Sequence, residues 1–375
     1  MPINLTREEA RAWLTLLRTP ELGARVIREL IELHGNALPA LTQIRGDSGV
    51  PEAARGWLAA PDAVALENDL AWLAAANHHL IVWSSDDYPV LLRNAQNAPV
   101  ALFIAGDATL LWSPQIAVVG ARSASAGGLA NARSFAKALV QGGNVITSGL
   151  AEGIDGAAHA AALDAGGATI AALGTGPDLV YPRRHEELAE RIVAHGALVS
   201  EFPPGTPGKP EHFPRRNRII AGLSLGTLVI EASLNSGSLI TARLAAEQGR
   251  EVFALPGSIH SPLARGCHRL IRDGAKLVET AEEVIEELSG VGGLLADGLR
   301  RRLSGDDGAT AVPLPGVQTR DPEYARLLAA LDATPAALDE LVARTDLSPA
   351  ALSSMLLVLE LDGAVFTENG RYVRR

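Results

Sequence analysis

Between residues 113 and 288, short apolar runs alternate with stretches of helical spacing. The runs fall at 115–119, 144–147, 169–173, 198–200, 227–230, 251–255 and 276–278. The helical stretches fall at 129–140, 155–164, 188–194, 216–223, 239–248, 264–272 and 281–288. Strands this short and this apolar are covered on both faces. Their alternation with helices predicts an α/β fold with a parallel sheet between two helical layers.

Other patterns flank this region. Helical spacing over 10–17 stops at Thr19-Pro20-Glu21-Leu22-Gly23, resumes over 26–33 and ends at Gly35. Helix, Pro/Gly turn, helix resembles a SAM-like or helix-hairpin-helix bundle, here preferred as a packing domain, with Trp57 and Trp72 in its core. Residues 290–320, rich in Gly, Asp and Pro, read as a linker. Its Arg300, Arg301 and Arg302 read as a solvated charge run. Beyond it, helices at 324–331, 336–344 and 349–361 precede strands at 364–367 and 371–374 around Glu368-Asn369-Gly370, the order of a winged helix. Residues 349–361 hold no Lys or Arg, whereas a groove-reading helix needs donors for phosphates and base edges. A structural or protein-contact role is therefore preferred for this part. The expected domains are 1–75, 76–289, 290–320 (linker) and 321–375.

Composition adjusts this picture in two ways. Apolar residues make up 47% of the 375 and aromatics only 4%, so the core is aliphatic. The single cysteine, Cys267, excludes a disulfide framework and fits a reducing compartment. No signal pattern and no run of 18 apolar residues occurs, so a soluble cytoplasmic protein away from membranes is expected. The net charge of −10 argues against a polyanionic ligand. Its distribution softens that objection. Residues 113–280 hold 16 Lys and Arg against 14 Asp and Glu, a local charge of +2, and the remainder carries −12. Steering follows the local field.

The densest chemistry lies at His212-Phe213-Pro214-Arg215-Arg216-Asn217-Arg218. Pro214 suits a first helical turn, and Ile219, Ile220 and Leu223 then enter a core. Cations at a helix N-terminus oppose the macrodipole, and an external polyanion explains them. Further candidates follow other strand ends. Gly120-Ala121-Arg122 is neither a dinucleotide fingerprint nor a P-loop. Ser148-Gly149 opens the second crossover, where Asp155 and His159 share a helix face. A structural pair is preferred there over an acid–base pair, since no nucleophile or metal-ligand cluster accompanies it. Gly174, Gly176, Arg183 and Arg184 follow the third strand, with Glu186 and Glu187 available to neutralise the arginines. Ser236-Gly237-Ser238 and Thr241 follow Glu231, which is expected to hold an arginine. Arg216 is a candidate partner for Glu201 or Glu231. A fifth strand-end loop adds Arg265. Ligands of doubly wound sheets lie outside the carboxyl ends of the strands, where these groups converge.

Together the motifs Gly120-Ala121-Arg122, Ser148-Gly149-Leu150-Ala151-Glu152-Gly153-Ile154-Asp155, Tyr181-Pro182, Ser200-Glu201, Phe213-Pro214-Arg215-Arg216-Asn217-Arg218, Ser236-Gly237-Ser238-Leu239-Ile240-Thr241 and Pro256-Gly257 resemble the DNA-processing protein A family (DprA, or Smf). The resemblance implies an extended Rossmann-like parallel-sheet domain, flanked by a SAM-like domain and a winged helix. It implies sequence-independent binding of single-stranded DNA and loading of RecA recombinase in natural transformation, in place of single-strand-binding protein, another candidate partner. It also implies a homodimer through the Rossmann domain, with no catalytic residue, metal or cofactor. Carried over by motif, Arg122, Arg183, Phe213 and Arg215, Arg216, Asn217 and Arg218 are expected at the DNA. The strand-end groups read above, Gly120, Ser148, Gly149, Gly174, Gly176, Arg184, Ser236, Gly237, Ser238 and Thr241, complete the expected DNA-binding set. Ala121 stands where many relatives have serine. Two alternatives stand beside it: a non-catalytic nucleotide sensor, and a nucleotide-binding or nucleotide-hydrolysing enzyme of the phosphoribohydrolase type. Those enzymes carry P-G-G-x-G-T-x-x-E, but after Asn235-Ser236-Gly237-Ser238 no carboxylate follows until Glu247.

Overall fold

The computed structural model describes residues 5–46, 49–95 and 97–288, then 326–327, 330–331, 336, 338–345, 347, 352, 356, 365–368 and 371–374. One compact unit spans Met1–Gly305 and a second Asp306–Arg375.

The first unit opens with α1 (Arg7–Arg18), α2 (Ala24–His34), α3 (Ala37–Arg45), α4 (Glu52–Ala59) and α5 (Ala63–Leu73). The Thr6 hydroxyl accepts the Glu9 amide at 3.2 Å and caps α1, and Asp62 caps α5 through the Val64 amide at 2.9 Å. Trp13 is the fully buried tryptophan of this bundle; Trp57 and Trp72 are only half-buried at its rim, contrary to expectation. The Trp57 ring nitrogen donates inward to the carbonyl of the buried Thr15 at 3.1 Å. The bundle shares one core with Leu80, Val82, Val100, Ala101 and Phe103 at the sheet's edge, so it does not close on itself at residue 75.

The sheet contains β1 (His78–Val82), β2 (Ala101–Gly106), β3 (Gln115–Val119), β4 (Val145–Ser148), β5 (Thr169–Ala172), β6 (Ala197–Ser200), β7 (Gly226–Val229), β8 (Glu251–Ala254) and β9 (Lys276–Leu277). Its order is β1-β2-β6-β5-β4-β3-β7-β8-β9. The strands from β6 to β9 in that order are parallel, as predicted. β2 joins β6 antiparallel and β1 joins β2 antiparallel, an extension the pattern did not predict. The helices are α6 (Val90–Arg93), α7 (Ala126–Gln141), α8 (Ile154–Asp164), α9 (Glu186–His195), α10 (His212–Leu223), α11 (Ser238–Glu247), α12 (Arg265–Arg272) and α13 (Ala281–Leu288). Apolar clusters cover both sheet faces. The chain runs outward from β3 to β6 and returns to β7 on the other side of β3. The order therefore reverses between β3 and β7, where such folds hold ligands.

The second unit shows α14 (Leu338–Thr345) and a hairpin of β10 (Val365–Glu368) and β11 (Arg371–Arg374), with Ala336 bridged to Tyr372. Leu327, Leu331, Leu341, Leu347, Leu352 and Leu356 are buried together. The predicted linker with its three arginines, and the predicted helix at 349–361 apart from Leu352 and Leu356, lie outside the described residues.

A groove at the reversal of strand order

The loops after β3 and β7 bound a cavity of about 690 Å³. Glycines bring its walls together by backbone contact. The Ala121 amide donates to the Glu231 carbonyl at 2.7 Å, and the Ile154 amide to the Ala121 carbonyl at 3.2 Å. A Cβ on Gly153, where φ is +78°, would lie 2.3 Å from the Ala121 oxygen and 2.4 Å from the Arg122 oxygen. No other residue fits there. Glu231 does not hold an arginine as expected. Its carboxylate accepts the Ser125 amide at 2.9 Å and hydroxyl at 2.6 Å, fastening the start of α7.

Of the expected set, Gly120, Arg122, Phe213, Arg216, Asn217, Ser236, Gly237, Ser238 and Thr241 line this cavity, and Gly149 lines a smaller one beside it. Arg122 is exposed, forms no ion pair among the described residues, and sits 5.9 Å from the Phe213 ring centroid. Phe213 lies 5.2 Å from the exposed Tyr181 ring. Tyr181 belongs to the groove although the motif reading took only its neighbour Arg183 as a contact. Asn235, Ser233 and Leu263 were also missed, since only their place after β7 and β8 marks them.

Three arginines adjacent in sequence meet three different fates on α10. Arg216 is 4% exposed and donates through Nη1 to the Gly149 carbonyl at 2.6 Å and to the Ala172 carbonyl. It thus ties together the ends of β4 and β5. Burial pulls its guanidinium down to about 10, opposed by Asp155, so it stays charged at neutral pH. Its partners are these carbonyls, not Glu201 or Glu231. Glu201 instead takes Arg215 at 2.8 Å and Arg218 on the same oxygen. Arg218 is buried; Arg215 remains half in solvent and crosses the Phe202 ring at 5.5 Å. An internal carboxylate and two carbonyls therefore answer much of the charge that sequence reasoning assigned to an outside polyanion.

Other expected residues serve the frame. Ser148 is buried and donates to the Val118 carbonyl at 2.6 Å. The Gly149 amide, expected as a free donor, gives its hydrogen to Asp155 at 3.1 Å. A Cβ on Gly174 would press on Phe213 at 2.9 Å, and one on Gly176 would strike the Pro203 carbonyl at 2.7 Å, so both glycines serve close packing. Arg184 pairs with Glu152 at 2.7 Å, not with Glu186 or Glu187. Arg183 is exposed outside the cavity.

Asp155 and His159 each hold the turn after β4 and do not bond each other. Asp155 accepts the Gly149 and Ala151 amides; burial raises its pKa, countered by Arg216. His159 Nε2 accepts the Leu150 amide at 3.4 Å, and Nδ1 lies 2.7 Å from the Thr169 hydroxyl. That hydroxyl donates to the Ile146 carbonyl, which assigns the ring proton to Nδ1. Burial lowers His159 to about 3, so it is neutral. His185 Nδ1 meets the Leu150 carbonyl at 3.0 Å. Leu150 has a φ of +56°, and these bonds hold it there. Cys267 is buried with its thiol pushed up to about 11. Among the described residues no group of His, Cys, Asp and Glu is placed to hold a metal, and no helix is long and apolar enough to cross a membrane.

Comparison with known proteins agrees with this architecture. Residues 79–289 match the family described as DNA recombination-mediator protein A, and 311–371 match the DprA winged helix domain. Protein Smf of Escherichia coli is 45% identical over 82% of this chain and 80% of its own length. The solved structure of DNA processing protein A from Streptococcus pneumoniae aligns with a TM-score of 0.67 and 37% identity, covering 76% of this chain and 99% of that one. The corresponding protein of Helicobacter pylori, solved for its single-stranded DNA binding mode, aligns at 0.50 and 28%, covering 54% and 93%. This chain is a member of the DNA recombination-mediator protein A family.

Proposed function

We propose that this chain binds single-stranded DNA in the β3/β7 groove without regard to base sequence. One observation carries the reading: Arg122 stands free at the strand-order reversal, beside the half-buried Phe213 and exposed Tyr181 rings. A cation answers phosphate and aromatic faces take any base, the combination that sequence-tolerant single-strand binding requires. The Helicobacter pylori relative's binding mode supports it. On the same reading the chain hands its strand to RecA in the cytoplasm during transformation, as a dimer through the sheet domain. The family's recombination-mediator description supports that extension.

The chain acts without catalysis on this reading. Asp155 is committed to amides and Glu231 to Ser125, and α11 carries no carboxylate before Glu247. Release of free base from nucleoside monophosphates would instead establish the hydrolase alternative. The test of binding is fluorescence anisotropy with single-stranded and duplex DNA across a salt series. If about four phosphates are neutralised, log K against log salt falls with a slope near −3 for single strands. A salt-independent affinity, or equal affinity for duplex, overturns the reading.

A further inference from the structure

We propose that the inner end of the groove is a phosphomonoester site, formed by Ser236, Gly237, Ser238 and Thr241 at the start of α11, with Arg216 lining the same cavity. This deepens the single-strand reading and rests on it for one of two sources of that ligand, a strand's phosphorylated end. The other source is a free mononucleotide.

Two independent observations carry it. The first is the helix start. α11 has ten residues, and its N-cap Gly237 has no side chain. The Ser238 amide is answered by the Ser236 hydroxyl at 3.4 Å and the Leu239 and Ile240 amides by the Ser236 and Gly237 carbonyls at 3.1 Å, so the donors left for a ligand are hydroxyls. A Cβ on Gly237 would meet nothing within 4 Å, so open space lies over it. Ser236 and Ser238 hydroxyls stand 2.7 Å apart; the pair uses one proton between them and keeps the second for an outside acceptor. The second is Thr241. It is 1% exposed, lines the cavity, and its hydroxyl makes no hydrogen bond within the described protein. Unlike the sealed Thr227 hydroxyl, this one is not enclosed on every side, so it faces the cavity it lines and can donate to a group held there. Arg216 is joined to this end through Asn217, whose Oδ1 accepts Arg216 Nε at 3.2 Å and whose amide donates to the Gly237 carbonyl at 3.3 Å. Asp155 also lines the cavity, but Gly149 and Ala151 amides bind its carboxylate beside Arg216.

Depth selects a monoester over the diester of a passing strand. Thr241, Ser238, Asn217 and Arg216 are all at least nine-tenths buried. A strand running through would have to bury the sugars on both sides of its phosphate, whereas a terminus or a mononucleotide buries one. A monoester also brings a charge of about −1.5 to −2 at neutral pH, which donors and an arginine answer better than the single charge of a diester.

The test uses oligothymidylates of one length with 5′-phosphate, 3′-phosphate or hydroxyl ends, competing against an internally labelled strand, beside calorimetric titration with thymidine 5′-monophosphate alone. The full chain is compared with Thr241→Val and Thr241→Ser, each checked for an unchanged melting transition. One phosphorylated end should bind about tenfold tighter than the hydroxyl end, the size of one charge-assisted bond. Thr241→Val should cancel the difference and Thr241→Ser keep it. Equal strand affinities with Thr241-dependent binding of the monophosphate assign the site to free nucleotide. Failure of every strand to bind, with the monophosphate still bound, removes the single-strand reading and keeps the site. Indifference to end phosphorylation together with no monophosphate binding overturns the proposal, as does a Thr241→Val protein that still prefers the phosphorylated end.

Discussion

Arg122 and Arg216 line one groove and carry the same side chain, yet the fold uses them in opposite ways. Arg122 sits on the loop after β3, exposed, with the Phe213 ring near it and, among the described residues, no carboxylate bound to it. Arg216 sits on α10 with Nη1 against two main-chain carbonyls. One is charge held ready for a ligand. The other closes the ends of two parallel strands, where carbonyl dipoles point outward and need a donor. A count of arginines in sequence cannot separate these roles, because the deciding partners come from elsewhere in the chain.

The largest way to break this contrast is to remove each arginine in turn. Arg216→Met leaves Asp155 without its cation and the Gly149 and Ala172 carbonyls without their donor. Breaking a buried charge arrangement by deleting one member costs about 3–5 kcal/mol. The Arg216 variant should therefore unfold at markedly lower denaturant, whereas Arg122→Met should keep the wild-type midpoint. Equal midpoints for the two variants would show that Arg216 is not structural.

The buried side of the comparison also has a pH signature. His159 is held at about 3 in the folded chain against roughly 6.5 when unfolded. The unfolded state thus binds the proton first as pH falls. The contribution of neutral His159 is complete above about 6.5 and is lost progressively as pH falls toward 3, at up to ~1.4 kcal/mol per pH unit. Between pH 6.5 and 4.5 this amounts to roughly 2 kcal/mol. Denaturation midpoints measured across that range should fall in the wild type and fall less in His159→Gln. Identical slopes in the two proteins would locate the pH dependence elsewhere.

How much of this was readable beforehand follows from the same physics. The parallel strands and their helices were legible because strands buried on both faces are nearly all apolar, as in β3, where Ile116, Ala117, Val118 and Val119 follow one buried glutamine. β1 begins with two half-buried histidines, and β2 pairs with β6, nearly a hundred residues away, so neither carries a local signature of the antiparallel extension. Within the site, the strand-end position of Arg122 and of the Ser236–Ser238 turn was legible from the alternation of elements. The fate of Arg216 was not, since its carbonyl partners lie 44 and 67 residues upstream. Glu201 was visible only as one of two candidate acids, and it took the two flanking arginines. Glycines misled in the other direction. Those at 149, 174 and 176 invite an anion by their type, yet a Cβ at each would strike a side chain or a carbonyl.

The smallest and most discriminating effect compares Arg122 with Arg215, an exposed arginine on the β3 loop and a half-exposed one on α10. Arg215 keeps half its side chain exposed but already pairs with the buried Glu201 carboxylate. A phosphate approaching Arg215 would compete with that carboxylate; one approaching Arg122 meets no such competitor. Arg122→Ala should therefore weaken single-strand binding about tenfold and flatten the salt dependence by about 0.7, the share of one phosphate. Arg215→Ala should change both by less than half as much. Because salt slope counts released ions rather than contacts, it separates loss of charge from loss of shape. If Arg215→Ala flattens the slope as much as Arg122→Ala does, Glu201 does not withhold that cation, and α10 rather than the β3 loop is the phosphate-facing wall.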